Sequence, residues 1–425
     1  MLSAYLLSFG GLLLLGGRLA DLFGGRRMLM VGTALFLIAS LVCGLAWDGT
    51  VLIGARVVQG VSAAIMAPAA LSILTTTFHE GADRNRALGV WSAIGGIGAT
   101  AALVVGGILT DGLGWPWIFF INVPVAAVLL ALCPVLLPES HSQTVKRGYD
   151  VAGAMAVTVA LLLFVYAVVE VPRVGWTSVS TIVPLFASAA SIALFVLIEA
   201  HSATPLLPPR ISRSRPLVAG NLALLALGIV AWGMSLTASL YGQQVLGLSA
   251  LEVGLGMAIM TVGTIVGSSV GQAVVTRTGP RAVAAVGFTL TGIGCLLLTQ
   301  VSPDGSYFED MFPGLLVFGP GLGATFVAAS VATLAGVAQG DSGLASALNT
   351  AAFQIGGALG AAVATSVAIW NTVGPDPAGA LTAGYSSAFA AAGLFSALGL
   401  VITFVLLRPV RRTTPARRRT NLAEG

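Results

Sequence analysis

Long apolar runs separated by short polar breaks dominate the chain. Residues 28–46 and 151–169 are uncharged throughout, and a bilayer core about 30 Å thick needs about 20 residues of helix to cross it. The pattern predicts helices at 3–20, 28–46, 50–77, 85–110, 117–137, 151–170, 179–199, 217–241, 252–275, 282–301, 313–336, 343–370 and 384–407. The breaks between them carry turn chemistry, as in Trp47-Asp48-Gly49, Gly114-Trp115-Pro116 and Gly374-Pro375-Asp376-Pro377. A transmembrane barrel would show short alternating segments instead. The expected fold class is therefore all-α, a polytopic transmembrane bundle of thirteen helices.

Composition agrees. Of 425 residues, 56% are apolar and only 8% are charged, with a mean hydropathy of +0.96. A water-soluble globule of this size could not bury so much apolar surface, and a disordered chain needs the opposite balance. No basic segment precedes the first apolar run, so it does not read as a removable signal peptide. Cys43, Cys133 and Cys295 lie in three different runs, which argues against a disulfide framework or a thiolate metal site.

The cations assign the sides. Arg18, Arg26, Arg27, Arg84, Arg86, Lys146, Arg147, Arg210, Arg213, Arg215, Arg277 and Arg281 fall in alternate loops, and Arg408, Arg411, Arg412, Arg417, Arg418 and Arg419 follow the last helix. The opposite loops hold Arg173 together with Asp48, Asp304, Glu309 and Asp310. Positive residues stay cytoplasmic, so the C-terminal tail is expected inside, and the net charge of +4 needs no nucleic-acid partner. An odd number of spans then places Met1 outside, which leads to the expectation that one further helix precedes it.

The first cytoplasmic loop reads Gly17-Arg18-Leu19-Ala20-Asp21-Leu22-Phe23-Gly24-Gly25-Arg26-Arg27. Gly17 is expected to allow close helix contact, and Gly24 and Gly25 to supply a backbone that a β-carbon would not tolerate. Asp21 could pair with a cation or a helix N-terminus in one conformation and lose that partner in another. A weaker copy appears at Thr276-Arg277-Thr278-Gly279-Pro280-Arg281, where Gly279 answers Gly24 and Arg281 answers Arg26. Two related halves are a transporter signature.

These loops resemble the cytoplasmic motif of the major facilitator superfamily, and other segments resemble its fourteen-helix drug:proton antiporter branch. Arg56-Val57-Val58-Gln59-Gly60 is similar to the branch's intramembrane Arg-x-x-Gln-Gly motif. Gly89-Val90-Trp91 through Gly106-Gly107 is similar to its Gly-rich antiporter helix, and Trp115 through Pro124 to its Trp-x-Trp-x-Phe-x-x-Asn-x-Pro turn. Leu344 through Thr350, with Gln354-Ile355-Gly356-Gly357, resembles its late-helix motif. The resemblance implies an N-terminal bundle of five helices at 1–140 lacking the family's first helix, two inserted helices at 141–200, a six-helix bundle at 201–410 and a basic tail at 411–425. Leu22 and Gly25 stand where the family often has Arg, and Ala102-Leu103 where it has Gly-Pro.

Arg56 is the basic residue placed well inside a span. A central Arg costs about 2.5–3.5 kcal/mol on insertion scales, so it must face a watery cavity, an acidic partner or the interface by snorkelling. Its functional reading is proton coupling: a guanidinium that tunes a proton-carrying carboxylate. The resemblance implies that Trp91, Asn221, Trp232, Tyr241, Gln244, Asn349 and Gln354 lie on helices lining the central cavity, and with Gln59 they are the candidate cavity residues; for each of the seven, anchoring at the interface or bonding between helices is the competing reading. Gly95, Gly96, Gly98, Gly106, Gly107, Gly356, Gly357 and Gly360 are expected to permit close helix packing.

Lys146 is the sole lysine, with no phosphate-binding loop before it, and the three histidines sit in separate loops. No enzymatic activity, cofactor or metal is expected, and the energy source is expected to be a proton gradient. The sequence thus points to a cell (inner) membrane transporter, monomeric, exporting small amphipathic molecules against proton entry. Asp21, Arg26 and Arg27 would hold its cytoplasmic gate. The Ala102-Leu103 departure keeps a uniporter or importer of the same fold open, and the expected missing helix keeps open a membrane protein that does not transport.

Overall fold

The computed structural model describes residues 2–78, 87, 98, 101–102, 104–137, 151–175, 177–202, 214–335, 337, 342–373 and 376–407. Within them run thirteen helical segments: α1 Leu2–Phe23, α2 Gly25–Gly44, α3 Gly49–Thr77, α4 Val104–Leu113, α5 Trp117–Leu136, α6 Val151–Val174, α7 Val179–His201, α8 Arg215–Gln244, α9 Ala250–Thr278, α10 Pro280–Leu298, α11 Tyr307–Leu334, α12 Ser342–Asn371 and α13 Pro377–Leu406. Ten are long and apolar enough to cross a membrane. Large apolar side chains such as Val125, Phe186 and Leu394 point outward, as expected of surfaces that meet lipid rather than water. Most of the span expected at 85–110 lies outside the described residues.

Helix ends follow local chemistry. Asp48 caps α3 by accepting the Val51 N–H at 2.8 Å. α13 begins at Pro377, seven residues before the expected 384. Pro377 reads as a break in sequence, but proline suits the first helical turn, and Asp376 accepts the Ala378 and Gly379 N–H groups at 3.3 and 2.8 Å. Losing such a cap costs about 1 kcal/mol. Asp376→Ala should therefore fray the first turn of α13, seen as faster amide exchange at Ala378 and Gly379 with the rest of the helix unchanged. α11 also starts earlier than expected, with a π-type turn over Tyr307–Met311 capped by Ser306.

Packing divides along the chain. α1 lies along α3, and α2 packs between α3 and α5. The tight α1–α3 crossing is made at Gly60, where a β-carbon would lie 2.5 Å from the Tyr5 carbonyl oxygen, and at Gly16, where it would collide with the Ala64 carbonyl. Gly17, expected to serve this purpose, has only ordinary clearance, 3.7 Å from Pro68. The glycine needed is one position earlier, because that position faces the α3 backbone.

In the second half, α8 packs on α12 and α13, while α11 packs on both α9 and α10. Met234, Tyr241, Leu298, Leu315, Phe318 and Phe389 fill this core. α9 and α11 meet through Gly263, Gly267 and Gly271 on one side and Gly319 and Gly323 on the other, each facing backbone across the seam. Gly356 and Gly360 of α12 likewise face the α8 backbone at Leu225 and Ile229. Of the other glycines expected to pack closely, Gly98 and Gly106 have open space around them, and Gly95 and Gly96 lie outside the described residues.

The halves meet where α1 crosses α12: Leu6 and Leu13 pack with Ala351, Ile355 and Ala358, and Gly10 lies against Gln354. α6 touches both α1 and α12. Its buried Thr158 hydroxyl donates to the Gly11 carbonyl at 3.0 Å, and α7 is joined to α6 by Ser188 donating to Ala160 at 2.7 Å.

Candidate functional site

Arg56 sits seven residues into α3, about 10 Å along the helix at 1.5 Å per residue. Its Nη1 donates to Gln59 Oε1 at 2.8 Å, and its guanidinium lies 4.3 Å from the centre of the Tyr5 ring and 5.7 Å from that of Phe119. Gln59, only 1% exposed, is fixed in turn: Nε2 donates to Ser40 Oγ at 2.7 Å, and Oε1 also accepts from Cys43 Sγ at 3.6 Å. The amide therefore orients the arginine, because every polar atom it has is engaged. Tyr5, Phe36, Arg56, Gln59, Ile118, Phe119 and Asn122 line a cavity of about 340 Å³. The helices α1, α2, α3 and α5 each contribute to it.

This arrangement holds a cation in an apolar layer by ring faces and one amide oxygen. Such contacts are worth about 0.5–2 kcal/mol for each ring and about 1.5–3 kcal/mol for a charged hydrogen bond. Among the described residues, no member of this network is a carboxylate, and the guanidinium borders the cavity. Sequence reasoning singled out Arg56 as a cation placed inside a span, and Gln59 as its neighbour in the Arg-x-x-Gln-Gly resemblance. It missed Tyr5, Phe36, Ser40, Cys43, Phe119 and Asn122 as partners. Phe119 and Asn122 were visible as motif positions, but the tertiary approach of α1, α2 and α5 to α3 has no local signal.

At the Arg-rich end, Gly24 joins α1 to α2 in a single residue with φ of 92°. Gly25, expected to need special backbone, is already helical and buried beside Ile73. Gly279 joins α9 to α10 the same way, with φ of 85°. The two halves thus share a left-handed glycine joint, as the paired loops suggested. Arg26 is half-buried and Arg27 exposed, while Arg281 lies 5.2 Å from the Phe404 ring centre. The side chain of Asp21 lies outside the described residues, as does Trp91.

The other expected cavity residues separate into two groups. Asn221, Trp232, Asn349 and Gln354 stand on α8 and α12. Asn221 Oδ1, Asn349 Oδ1 and Trp232 Nε1 are buried with no hydrogen-bond partner among the described residues. Tyr241 and Gln244 belong elsewhere, at the Arg-poor end of α8. Tyr241 donates to Asp310 Oδ2 at 2.5 Å and to the Ser302 carbonyl at 2.8 Å, and Tyr385 donates to Gln244 Oε1 at 2.6 Å. These bonds stitch α8 to α11 and α13. The Tyr241 hydroxyl and the Gln244 carbonyl are thus engaged within this half of the molecule.

The sequence model of the Major Facilitator Superfamily matches residues 1–242 and 221–424. The puromycin resistance protein pur8 of Streptomyces alboniger is 35% identical over 96% of this chain and 83% of its own length. The cephamycin export protein CmcT of Amycolatopsis lactamdurans is 35% identical over 98% of this chain and 86% of its own. Among solved structures, the nucleoside transporter NupG superposes with a TM-score of 0.65 at 13% identity, covering 96% of this chain and 90% of its own. With its helical two-bundle architecture, paired glycine joints and intramembrane arginine, the chain belongs to the major facilitator superfamily.

Proposed function

We propose that the protein exports small amphipathic organic molecules across the cell (inner) membrane by alternating access, driven by proton entry. It acts as a monomer, without catalytic chemistry or a bound cofactor, and its Arg-rich end and C-terminal tail lie in the cytoplasm. The observation that carries this reading is Arg56, a cation maintained within the membrane layer beside a cavity, at a cost that a purely structural helix would avoid. The relatives named for puromycin resistance and cephamycin export, matched along nearly the whole chain, support the substrate class.

In this reading Arg56 links protonation to substrate occupancy, with Gln59 holding its direction. The unpartnered oxygens of Asn221 and Asn349 and the Trp232 N–H offer hydrogen bonds to a ligand between the bundles. Asp21, Arg26 and Arg27 hold the cytoplasmic gate around the Gly24 joint as the bundles rock.

The test is flux in proteoliposomes under an imposed pH gradient, with ethidium and puromycin as probes. Movement of probe toward the acidic side that stops when the gradient is collapsed supports export by exchange. Probe movement indifferent to the gradient would favour the uniporter reading, to which Ala102-Leu103 points, and no movement of any probe would remove the export reading.

A further inference from the structure

The Arg-poor end carries a polar contact between the two bundles that the export reading does not use. Asp111, in the last turn of α4, accepts the backbone N–H of Ala250 at 3.2 Å and that of Leu251 at 2.9 Å, one with each carboxylate oxygen. These are the first residues of α9. A helix start leaves about four N–H groups without internal partners, and α9 satisfies others locally. Ser249 and Glu252 form a reciprocal cap, with the Ser249 N–H donating to Glu252 Oε2 at 2.8 Å and the Glu252 N–H to Ser249 Oγ at 3.2 Å. The two donors that this cap leaves over are taken by an acid from the opposite half of the molecule, where the helix dipole favours negative charge.

The approach is shaped for this contact. Gly107 lies one helical turn before Asp111, on the same face. A β-carbon there would come within 2.6 Å of Leu251 Cα and 3.0 Å of the Ala250 carbonyl oxygen. Backbone therefore meets backbone at Gly107, and the carboxylate closes over the helix end four residues later. The recognition is one-sided. It needs particular side chains on α4 and only main chain on α9.

We propose that Gly107 and Asp111 form a latch that holds the Arg-poor mouth shut, and that the transport cycle breaks it each time that mouth opens. The latch deepens the alternating-access reading and rests on it. Its hydrogen bonds are charge-assisted but lie in water, so it is strong enough to bias the two states and weak enough to open every cycle.

The test reads the mouth directly, without substrate. Leu251→Cys is introduced into the full chain, whose three native cysteines are buried. A membrane-impermeant maleimide is then applied from the Arg-poor side of reconstituted vesicles, with the parent lacking Leu251→Cys as background. Adding Asp111→Ala should raise the initial labelling rate about fivefold to tenfold, with Asp111→Asn in between, because the latched state loses part of its advantage. Glu252→Gln weakens the same helix end without touching the other half and should leave the rate near that of the Leu251→Cys protein. Monodisperse elution of each variant shows that the bundle is intact, and if Asp111→Ala does not pass, Asp111→Asn is the variant read. The latch is overturned if the folded Asp111 variant labels like its parent, or if Glu252→Gln raises labelling as much as the Asp111 change. Loss of the export reading would appear separately, as absent probe flux in the unmodified protein.

Discussion

Replacing Arg56 by leucine should cut the proposed proton-driven export by about two orders of magnitude while leaving the bundle as stable as before, or more so. The two halves of this expectation come from different energies. Within a membrane, an arginine is retained against an insertion cost of about 2.5–3.5 kcal/mol, which leucine does not incur. The partners left behind are not stranded. Gln59 Oε1 still accepts from Cys43, and Gln59 Nε2 still donates to Ser40. The Tyr5 and Phe119 rings lose a cation but gain apolar contact. Folding should therefore change by no more than about 1 kcal/mol, within the range of volume-conserving core changes. Function loses the only thing leucine cannot supply, a fixed positive charge beside the cavity. Arg56→Lys keeps the charge but not the planar contact with two rings and the amide, and should retain partial activity. The check is a thermal melt in detergent alongside flux in vesicles. A melt lowered together with flux would make Arg56 a structural residue.

Gly267→Leu should do the reverse and abolish the fold. The seam between α9 and α11 is built from Gly263, Gly267 and Gly271 facing Gly319, Pro320 and Gly323, with Gly267 against the main chain of Pro320. In lipid, helix association rests on close packing rather than on a hydrophobic drive. A side chain at that point must push two helices apart along several turns, breaking contacts on both sides. Even Gly267→Ala should cost about 1–3 kcal/mol, as overpacked interiors do. Leucine should leave no monodisperse protein on size exclusion. Gly54 is the control, because nothing lies within 4 Å of a β-carbon there. Gly54→Leu should be tolerated, since removing glycine from a helix interior is favourable by about 1 kcal/mol.

The spans were legible because the bilayer imposes a length and an apolar composition on each, and residues 117–137 and 179–199 end within a few positions of α5 and α7. The paired joints at Gly24 and Gly279 were legible because a one-residue turn with positive φ selects glycine. What sequence could not provide was the third dimension. Gly16 and Gly17 look alike along the chain, and only the approach of Ala64 decides between them. Tyr241 looks like an aromatic poised on a cavity helix, but Asp310, sixty-nine residues away, takes its hydroxyl. Asp111 gave no signal beyond being an acid at a helix end, since its partners are main-chain groups that every residue possesses.

The account turns on charge and substrate moving through one machine, and linkage makes that measurable from either side. Vesicles loaded with a pH-sensitive dye, with no gradient imposed, should acidify or alkalinise as an added substrate gradient drives exchange, and Arg56→Leu should abolish the pH change. Substrate crossing at the normal rate with no movement of protons, in vesicles shown to be tight, would contradict it.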